Sequence, residues 1–585
     1  MYQKQYFVPK TSGTYAETLE AYGLAIILDE IFKANDVQKP KVKIQDAGNY
    51  YVVSSRIEIT EEMVKNTPYF DPFPYIKIKK DKSSDLPNNS IDYENEKEIY
   101  KAYNEFRKSI ANLDWSKRKE AIESYENKPH FDYDIFSQIQ VNSLGGYLKA
   151  YNNVFTNRDL YVEFLNQILF LYSSLEDNSS LVNKYFAKMV KDNHFQKIDK
   201  INSLQFFNPH QGKGVNSGKA NSISLSQVSA FWLREYLKMA GCYKSMFIKR
   251  VKINNQKWDL KFYVIAPKSL DLSYLSTVYN NFKPTVGGNS TIKLDIISIL
   301  RYEKTLIEYM EKYQQDKPSI SKKFKPHQLV FGIYTAYQKN LGQNNAISNI
   351  GCLNFPDFIS ISSFQEGKKW INIIDEHIRI INRINEDIGS TTSMLYHYRR
   401  FLSGGTLDDF FAFNFEYTAL LMRGITIRFM RLEPFTLGLM EEFITSADKN
   451  LKPILDNEGF KNIAKAIRNS TISEQYRKIH SKQEFEICYG MAQDLKRKSP
   501  LKEDLISYLS EFIAKYNAET ARYAENHQDL AKAGKIRATI KMQDIEEIVK
   551  LIDEYGSDVV GKLLSAYGYA LDRKSQSSKS LDSSE

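Results

Sequence analysis

Residues 245–266, SMFIKRVKINNQKWDLKFYVIA, contain two runs of apolar and basic residues on either side of Asn254, Asn255 and Gln256. Runs rich in β-branched and aromatic residues that flank a short polar connection predict a β-hairpin. Residues 42–59 predict two further strands around an Asp-Ala-Gly-Asn turn, and YIKIKK at 75–80 predicts an edge strand with lysines on its wet face. This part of the chain therefore contains β-structure.

Helices are predicted between these strands. Thr14 and Glu17 have capping-box spacing before an apolar-periodic run at 19–32, and Ser224 and Gln227 repeat it before a helix that ends near Gly241. Further helices are predicted at 94–126 and 159–175. We therefore predict a mixed α+β body for residues 1–292.

The pattern changes from residue 293 onward, where the apolar residues follow a helical period. The predicted helices are 293–313, 325–340, 364–384, 408–430, 435–448, 460–470, 482–496, 502–524, 541–553 and 556–570. Short polar connections between the later ones indicate an antiparallel bundle. We therefore predict an α+β fold with a mainly helical middle region at 293–440, a helical bundle at 441–574 and a disordered serine-rich tail at 575–585.

The composition excludes several classes of protein. The chain has 585 residues, of which 42% are hydrophobic and 26% charged, as in an ordinary globular protein. Its three cysteines, Cys242, Cys352 and Cys488, are too few for a disulfide framework and lack metal-ligand spacing. The N-terminal residues lack a signal-peptide pattern, and no apolar run is long enough to span a bilayer. We therefore predict a cytoplasmic protein with no membrane partner.

The positive charge of the chain is concentrated in one stretch. Residues 211–268 contain eleven basic residues and only two acidic ones, Glu235 and Asp259, so this stretch accounts for the whole net charge of +9. A local excess of this kind is typical of a surface that binds nucleic acid. The alternative is a lysine-rich solvated face.

A glycine-rich segment, FFNPHQGKGVNSGKANS at 206–222, overlaps the start of this stretch. It fits neither the P-loop pattern nor the dinucleotide-binding pattern, so nucleotide hydrolysis here is not expected. Glycine permits close backbone approach, amide side chains can read base edges, and lysine neutralises phosphates. We therefore predict that residues of this segment bind a short DNA motif: Asn208, Gln211, Lys213, Asn216, Lys219 and Asn221. Phe206 and Phe207 are candidates for base stacking. The alternative is a flexible surface loop.

Signatures of catalysis are absent from the sequence. The eight histidines form no HxH or HExxH pair, and no GxSxG elbow is present. The pair Asp408 and Asp409 is typical of a helix start rather than of a metal site. We therefore predict a binding protein that is not an enzyme, with no cofactor and no metal.

Several segments resemble the large subunit, the Cas-eight family, of type I CRISPR surveillance complexes (Cascade), most closely the type I-B forms. The resemblance lies in residues 206–222 quoted above, FWLREYLKMAGCY at 231–243, IAKAIRNSTISEQYRKIHSKQEFEICYGMAQDLKRKS at 463–499 and YLSEFIAKYNAETARYAE at 508–525. It implies a subunit that recognises the protospacer-adjacent motif in target double-stranded DNA, assists R-loop formation and recruits a helicase–nuclease. The implied partners are crRNA and the Cascade backbone, crRNA-5′-end and small subunits. In such complexes base pairing reads the target, whereas protein reads the motif and the backbone.

Two further sets of basic residues are candidates for nucleic-acid contacts. On the predicted hairpin, phosphate contacts are expected from Lys249, Arg250, Lys252, Lys257 and Lys261, with Arg250 and Lys252 on the face opposite to Lys249. In the bundle, contacts to the displaced strand are expected from Arg468, Arg477, Lys496, Arg497 and Lys498, with a solvated charged face as the alternative.

Three other functions stay open at this point. The same fold could serve a CRISPR-associated transposon, with a transposition adaptor as its partner. The chain could also be an unrecognised metal-dependent nuclease or nucleotidyl-transferring enzyme, or a helical scaffold without nucleic acid. The resemblance further implies that internal translation from Met440, or from Met430, could give a separate small subunit that folds alone.

Overall fold

The structure is a computed structural model that describes residues 1–78, 86–196, 201–202, 204–211, 229–254, 256–315, 324–342, 345–386, 389–426 and 432–571. The chain has an α+β fold and divides into two compact units. The first unit combines Met1–Asn289 with His327–Phe355, and the second combines Ser290–Pro326 with Pro356–Glu585. This division differs from the predicted one, because residues 293–440 do not form a region of their own and no unit boundary falls at 440.

Strands and helices are mixed along the chain as far as residue 282. They are β1 Gln5–Pro9, α1 Ala16–Ala34, β2 Lys43–Asp46, β3 Tyr50–Ser54, α2 Glu61–Lys65, β4 Ile76–Lys77, β5 Ile91–Asp92, α3 Tyr93–Ser109, α4 Trp115–Ser124, α5 Tyr133–Thr156, α6 Tyr161–Leu171, α7 Ser179–Lys191, β6 Ile201–Asn202, β7 Ser229–Ala230, α8 Trp232–Ser245, β8 Met246–Lys252, β9 Trp258–Pro267, β10 Ser269–Asp271 and α9 Leu272–Phe282.

The rest of the described chain is helical apart from one hairpin. Its elements are α10 Ile292–Gln315, α11 Pro326–Leu329, β11 Val330–Asn340, β12 Asn345–Asn354, α12 Phe364–Arg383, α13 Gly389–Leu402, α14 Leu407–Thr426, α15 Leu437–Ala447, α16 Lys452–Asp456, α17 Glu458–Ser470, α18 Ile472–Ile479, α19 Met491–Lys498, α20 Lys502–Asn526, α21 Gln528–Lys532, α22 Met542–Tyr555 and α23 Ser557–Gly568.

Two four-stranded sheets belong to the first unit. One has the order β1-β3-β2-β10 and the other β12-β11-β9-β8, with antiparallel pairing throughout. The predicted strands at 42–59 and the predicted hairpin at 245–266 are confirmed as β2–β3 and β8–β9. The strand predicted at 75–80 is described only at Ile76–Lys77, and residues 79–85 lie outside the described residues.

The helix predicted at 325–340 is wrong. Residues 330–340 form β11, which pairs with β9 on one side and with β12 on the other. Neighbouring residues of β11, such as Thr335 and Ala336, are both buried, so the middle of the strand has buried positions on both faces. Its apolar residues therefore do not alternate strictly, and periodicity alone does not separate it from a helix. The hairpin β11–β12 thereby joins the first unit although the helices around it in the sequence belong to the second.

Helices α1 and α8 pack closely in the first unit through two glycines. A Cβ atom on Gly241 would lie 1.9 Å from the carbonyl oxygen of Leu19, and one on Gly23 would lie 2.0 Å from that of Leu237. Gly241 is therefore required for close approach inside α8, and the prediction that the helix ends there is wrong. The start is also displaced, because α8 begins at Trp232, whereas Ser224 lies outside the described residues.

An aromatic cluster forms the core of the second unit. The ring of Phe410 on α14 lies 4.7 Å from that of Phe443 on α15, and the ring of His377 on α12 lies 4.9 Å from the same Phe443. Helix α14 also packs against α18, α19 and α23. The helices of residues 360–447 and those of the predicted bundle thus share one core. The predicted helix 482–496 is helical only from Met491, and α18 precedes it.

Within the described ranges, no helix is both long enough and apolar enough to cross a membrane.

Candidate nucleic-acid interface

The described start of the glycine-rich segment lies in the core of the first unit. The side chains of Phe206 and Phe207 are 3% and 0% exposed, and their rings pack edge to face at 4.8 Å. Phe206 also contacts the ring of Phe262 on β9 at 5.3 Å. Rings buried in this way have no face open to a base, so the prediction that they stack on nucleic acid is wrong.

Asn208 is also a core residue. Its side-chain nitrogen donates to Oε1 and Oε2 of Glu235 at 3.1 and 2.9 Å, and its Oδ1 accepts from Nζ of Lys238 at 2.7 Å. The residue is 1% exposed. Because every polar atom of the side chain has a protein partner and none reaches the surface, the geometry does not fit the predicted contact with a base. Asn208 instead holds two charged residues of α8 in place.

These contacts belong to a buried ionic pocket that joins α1 and α8. Nζ of Lys238 lies 2.9 Å from Glu235 and 3.9 Å from Glu20, and Arg234 pairs with Asp177 at 2.9 Å. Burial raises the pKa of Glu20, although Arg234 and Lys238 oppose this. Burial alone would lower the pKa of Lys238, but Glu235 and Glu20 together raise it. The pocket contains a cavity of about 210 Å³.

The pocket changes how the local charge excess is distributed. Glu235 and Asp259, the acidic residues of the stretch 211–268, are each 2% exposed. Asp259 accepts hydrogen bonds from the Tyr337 hydroxyl at 2.8 Å and from the Asn340 backbone at 2.9 Å. Neither acid therefore opposes the basic residues at the surface. Lys238, at 8% exposure, is withdrawn from the surface in the same way.

Gln211 lines the same cavity, and its buried Oε1 has no hydrogen-bond partner among the described residues. It is the last described residue before the remainder of the glycine-rich segment. Lys213, Asn216, Lys219 and Asn221 lie outside the described residues, so their predicted roles stay predictions.

The β8–β9 hairpin carries exposed basic residues at the edge of its sheet. Arg250 lies opposite Leu260 and Lys252 opposite Trp258, and both basic side chains are exposed while Val251 between them is buried. The predicted alternation is therefore confirmed. Oδ1 of Asn254 accepts hydrogen bonds from the backbone of Gln256 and Lys257 at 2.9 and 2.8 Å, which fixes the turn.

Two other lysines of the hairpin have internal partners. Lys249 and Lys261 lie opposite each other in the register. Nζ of Lys249 donates to the carbonyl oxygen of Val286 at 2.6 Å, and Lys261 is 6% exposed with its Nζ 5.7 Å from the centre of the Tyr263 ring. The predicted phosphate contact of Lys261 does not fit this burial.

Two apolar residues lie beside the exposed cations. Trp258 is 37% exposed and Ile253 is 47% exposed, both close to the turn. In the part of the chain that the structure describes, Arg250, Lys252 and Lys257 form no ion pair with a carboxylate. We call Arg250, Lys252, Ile253, Lys257 and Trp258 the hairpin patch. Trp258 was not among the residues predicted from the sequence. Its position opposite Lys252 nevertheless follows from a hairpin whose turn is at residues 254–256.

The basic residues predicted in the bundle do not form one surface. Arg468 donates through Nη2 to the Tyr567 carbonyl at 2.6 Å and through Nε to that of Ala570, and thus caps the C-terminus of α23. Arg477 pairs with Glu484 at 2.6 Å. The other three belong to the last turn of α19: Arg497 pairs with Asp494 at 2.8 Å, Lys498 lies 3.5 Å from Asp504, and Lys496 lies 3.8 Å from Glu416.

Within the described residues, no group of three or more His, Cys, Asp or Glu side chains is arranged to hold a metal ion. Comparison with protein-family models found no match, and comparison with curated proteins found no similar sequence. The hairpin patch, with three cations and an exposed indole, is suited to binding a polyanion with aromatic bases.

Proposed function

We propose that this chain is a non-catalytic, DNA-binding large subunit of a type I-B CRISPR surveillance complex. The observation that carries the proposal is the hairpin patch, in which three exposed or half-buried cations lie on the same hairpin as the exposed Trp258 and form no ion pair with a carboxylate among the described residues. Cations placed in this way contact phosphates without first breaking an ion pair, and an exposed indole offers a stacking surface to a base.

The assignment to this complex rests on the sequence segments 206–222, 231–243, 463–499 and 508–525, which resemble the Cas-eight family. An α+β first unit and a largely helical second unit agree with the organisation that the resemblance implies. In this role the protein recognises the protospacer-adjacent motif, with Gln211, Lys213, Asn216, Lys219 and Asn221 as the proposed reading residues. Its partners are crRNA, target DNA, the other Cascade subunits and the helicase–nuclease.

The hairpin patch is tested by replacing its three cations together, Arg250→Gln, Lys252→Gln and Lys257→Gln. We expect the affinity for double-stranded DNA to fall equally for all sequences, because phosphate contacts carry no sequence information. The slope of log affinity against log salt should become smaller by about 0.9 for each phosphate that the protein no longer neutralises. Fluorescence anisotropy of a labelled duplex between roughly 50 and 200 mM salt measures both quantities.

The matched control is Lys465→Gln, Lys482→Gln and Lys532→Gln, three exposed lysines of the second unit. This variant has the same loss of net charge and should keep the salt slope of the native chain. Equal losses in the two variants would show that net charge, and not the hairpin patch, determines binding.

The assignment to a CRISPR complex needs a separate experiment. The tagged full chain is purified from its native cell, and the bound RNA is sequenced. We expect small RNAs of uniform length whose 5′ ends derive from a CRISPR repeat. Purification of the chain with no such RNA would contradict this assignment while leaving DNA binding by the hairpin patch intact.

A further inference from the structure

Strand β12 lies at one end of the sheet β12-β11-β9-β8 in the first unit, and among the described strands it pairs with β11 alone. Residues 348–351 of β12 are exposed, and the Ile350 side chain is 38% exposed. A strand at the edge of a sheet presents backbone N–H and C=O groups that can pair with a further strand. The outer side of β12 is therefore a candidate interaction surface.

The direction of the backbone groups of β12 follows from one hydrogen bond. The backbone N–H of Phe355 donates to the carbonyl oxygen of Phe331 at 3.1 Å, in the same register as the adjoining part of the ladder. Bonded and non-bonded pairs alternate in an antiparallel ladder, so the pair that contains Gly351 is also a bonded one. The N–H and C=O groups of Ile350 and Cys352 therefore point away from β11. The described part of the chain provides them with no hydrogen bond.

The outer side of β12 also lacks charge. Residues 340–356 contain no Asp, Glu, Lys or Arg. Natural proteins commonly prevent unwanted pairing at an edge with charged side chains, with proline or with a bulge. Strand β12 has a bulge at Ser348, where the register with β11 shifts, but it is regular from Asn349 to Asn354. A further strand can therefore pair along this regular part.

The opposite edge of the same sheet is occupied. On β8 the backbone N–H of Ile248 donates to Oδ2 of Asp134 at 2.8 Å, and that of Lys252 donates to the carbonyl oxygen of Asn289 at 2.9 Å. Strand β8 also carries the exposed cations of the hairpin patch. Contacts within the chain and positive charge thus protect the β8 edge, whereas neither feature is present along the regular part of β12 in the described structure.

A second copy of the chain fits the β12 edge because the edge is self-complementary. When two β12 strands pair antiparallel about a twofold axis at Gly351, Ile350 of each copy lies opposite Cys352 of the other. Both residues direct their backbone groups outward, so each such pair exchanges its two backbone hydrogen bonds. Residues near a twofold axis meet their own kind, and like charges opposite each other are unfavourable. An uncharged strand avoids this repulsion.

Gly351 permits the close approach at the axis. The Cα atoms of a non-bonded pair are about 4.5 Å apart, so side chains at such a position are close together. Gly351 has no side chain, and a Cβ atom built on it would lie 3.6 Å from Oγ1 of Thr335, with no other described atom within 4 Å. The backbone at the axis is therefore accessible to a second strand.

We propose that the full chain forms a twofold dimer through antiparallel pairing of β12 with β12 of a second copy, centred on Gly351. The paired segment is 348–354, and the sheet of the first unit continues from one copy into the other. Because a contact between two strands is small, the dimer should be weak, with a dissociation constant in the micromolar range. The proposal does not depend on the proposed function, since β12 is not part of the hairpin patch.

Sedimentation equilibrium of the full chain, freed of nucleic acid, tests the dimer. The average mass should rise from that of one chain towards that of two across micromolar concentrations. Ile350→Lys should weaken the dimer by roughly tenfold or more, because it brings like charges together across the axis. The matched control is Ile57→Lys, which changes a 37% exposed isoleucine of the first unit outside β12 and should leave the dimer unchanged.

Disulfide cross-linking tests the register. Gly351→Cys and Asn349→Cys are each made together with Cys352→Ser, so that the two variants differ in the position of one thiol. Mild oxidation should link two copies of the Gly351→Cys variant, because Cα atoms at the axis are within the range of about 4.4–6.8 Å for a disulfide. The two Asn349→Cys thiols are offset by four residues, roughly 13 Å, and should not react with each other. Non-reducing electrophoresis compares the two variants.

The outcomes separate this proposal from the proposed function. A native chain that stays monomeric, equal weakening by Ile350→Lys and Ile57→Lys, or equal cross-linking at positions 351 and 349 would each contradict the β12 dimer. The hairpin variant Arg250→Gln, Lys252→Gln and Lys257→Gln should dimerise as the native chain does. A monomeric chain that binds double-stranded DNA would retain the proposed function and contradict this inference, whereas a dimer that binds no DNA would do the reverse.

Discussion

Glu303 on α10 is a buried carboxyl group that has no stabilising partner among the described residues. The residue is 0% exposed, and neither of its side-chain oxygens has a hydrogen bond to the described part of the chain. Burial raises the pKa of Glu303 well above its ordinary value of 4.5, and the group in turn contributes to the raised pKa of the buried Tyr398. In the unfolded chain the same carboxyl group ionises near its ordinary pKa. Glu303 therefore destabilises the folded protein at neutral pH.

Replacing Glu303 by Met, which has a similar length and no polar group, should raise the free energy of unfolding. Above pH 4.5 the unfolded chain releases this proton while the folded chain retains it, so the native residue lowers stability as the pH rises towards its folded-state pKa. The gain in Glu303→Met should thus grow by about 1.4 kcal/mol per pH unit over that interval.

Urea unfolding at pH 5, 6 and 7 measures this difference between the variant and the native chain. Glu308→Met on the same helix is the control, because Glu308 is partly exposed and lies 3.7 Å from Lys304. If Glu303→Met is less stable than the native chain at pH 7, the Glu303 carboxylate has a favourable partner and the prediction is wrong.

Asn208 and Asn216 carry the same side chain, but the structure assigns a role only to the first. Asn208→Ala removes the donor to Glu235 and the acceptor for Lys238, and should lower the free energy of unfolding by about 1–3 kcal/mol. It should leave the preference among DNA motifs unchanged. Asn216→Ala, at a proposed reading residue, should instead reduce discrimination by about 1–3 kcal/mol, because a hydrogen bond to a base edge can no longer form.

Urea unfolding and binding to a duplex library with a randomised motif measure the two effects. A change of motif preference in Asn208→Ala at unchanged stability would contradict the structural role of Asn208. Unchanged preference in Asn216→Ala would instead remove this residue from the proposed reading set.

At the scale of elements, the packing of α1 against α8 depends on backbone contact at Gly23 and Gly241. Gly241→Ala places a methyl group against the Leu19 carbonyl and should force the helices apart, with a cost of about 1–3 kcal/mol or more. Gly438→Ala in the first turn of α15 is the control, since a Cβ there meets no atom within 4 Å.

The control should be neutral or more stable by up to about 1 kcal/mol, because alanine favours helix. Thermal unfolding followed by circular dichroism compares the two variants with the native chain. If Gly241→Ala is as stable as the native chain, helices α1 and α8 tolerate separation and the prediction is wrong.

Strand β11 was predicted as a helix although its sequence is not unusual. Val330, Ile333 and Ala336 are fully buried at spacings of three, which matches a helical face as well as a central strand. The strand forms because β9 and β12 provide backbone partners on both sides. The partners on β9 are 63 to 78 positions away, from Val330 opposite Pro267 to Gln338 opposite Leu260, so no local window contains this information.

At the scale of the whole molecule, the second unit offers no boundary at Met440. This residue is in the second turn of α15 and is 1% exposed, while Phe443 packs on Phe401 and Phe410. A separate fragment 440–585 loses these partners and exposes their apolar faces. Each fully buried side chain that is exposed costs about 1.5–3 kcal/mol.

We therefore expect the fragment 440–585 to unfold at a lower urea concentration than the second unit does within the full chain. Intrinsic fluorescence and circular dichroism follow both transitions. Met440→Leu in the full chain is the control, because it retains an apolar side chain and removes a possible internal start. An identical midpoint for the fragment and the full chain would indicate that the predicted bundle folds alone.

Local sequence patterns were enough to predict the α+β class, the β8–β9 hairpin, the positions of most helices and the location of the excess charge. These features depend on local periodicity and on composition, which a short window records. Arg250 and Lys252 were correctly placed on one face of β8 for the same reason, since successive side chains of a strand alternate.

Sequence patterns did not show which polar residues are at the surface or which chain segments share a core. Asn208, Lys238 and Glu20 form one buried pocket although Glu20 is far from the other two in sequence, and Lys496 lines a cleft with residues of α13 and α14. The physical reason is that burial and charge pairing depend on which distant elements pack together. The sequence shows which charged residues the chain contains, whereas the packing determines which of them remain exposed to a ligand.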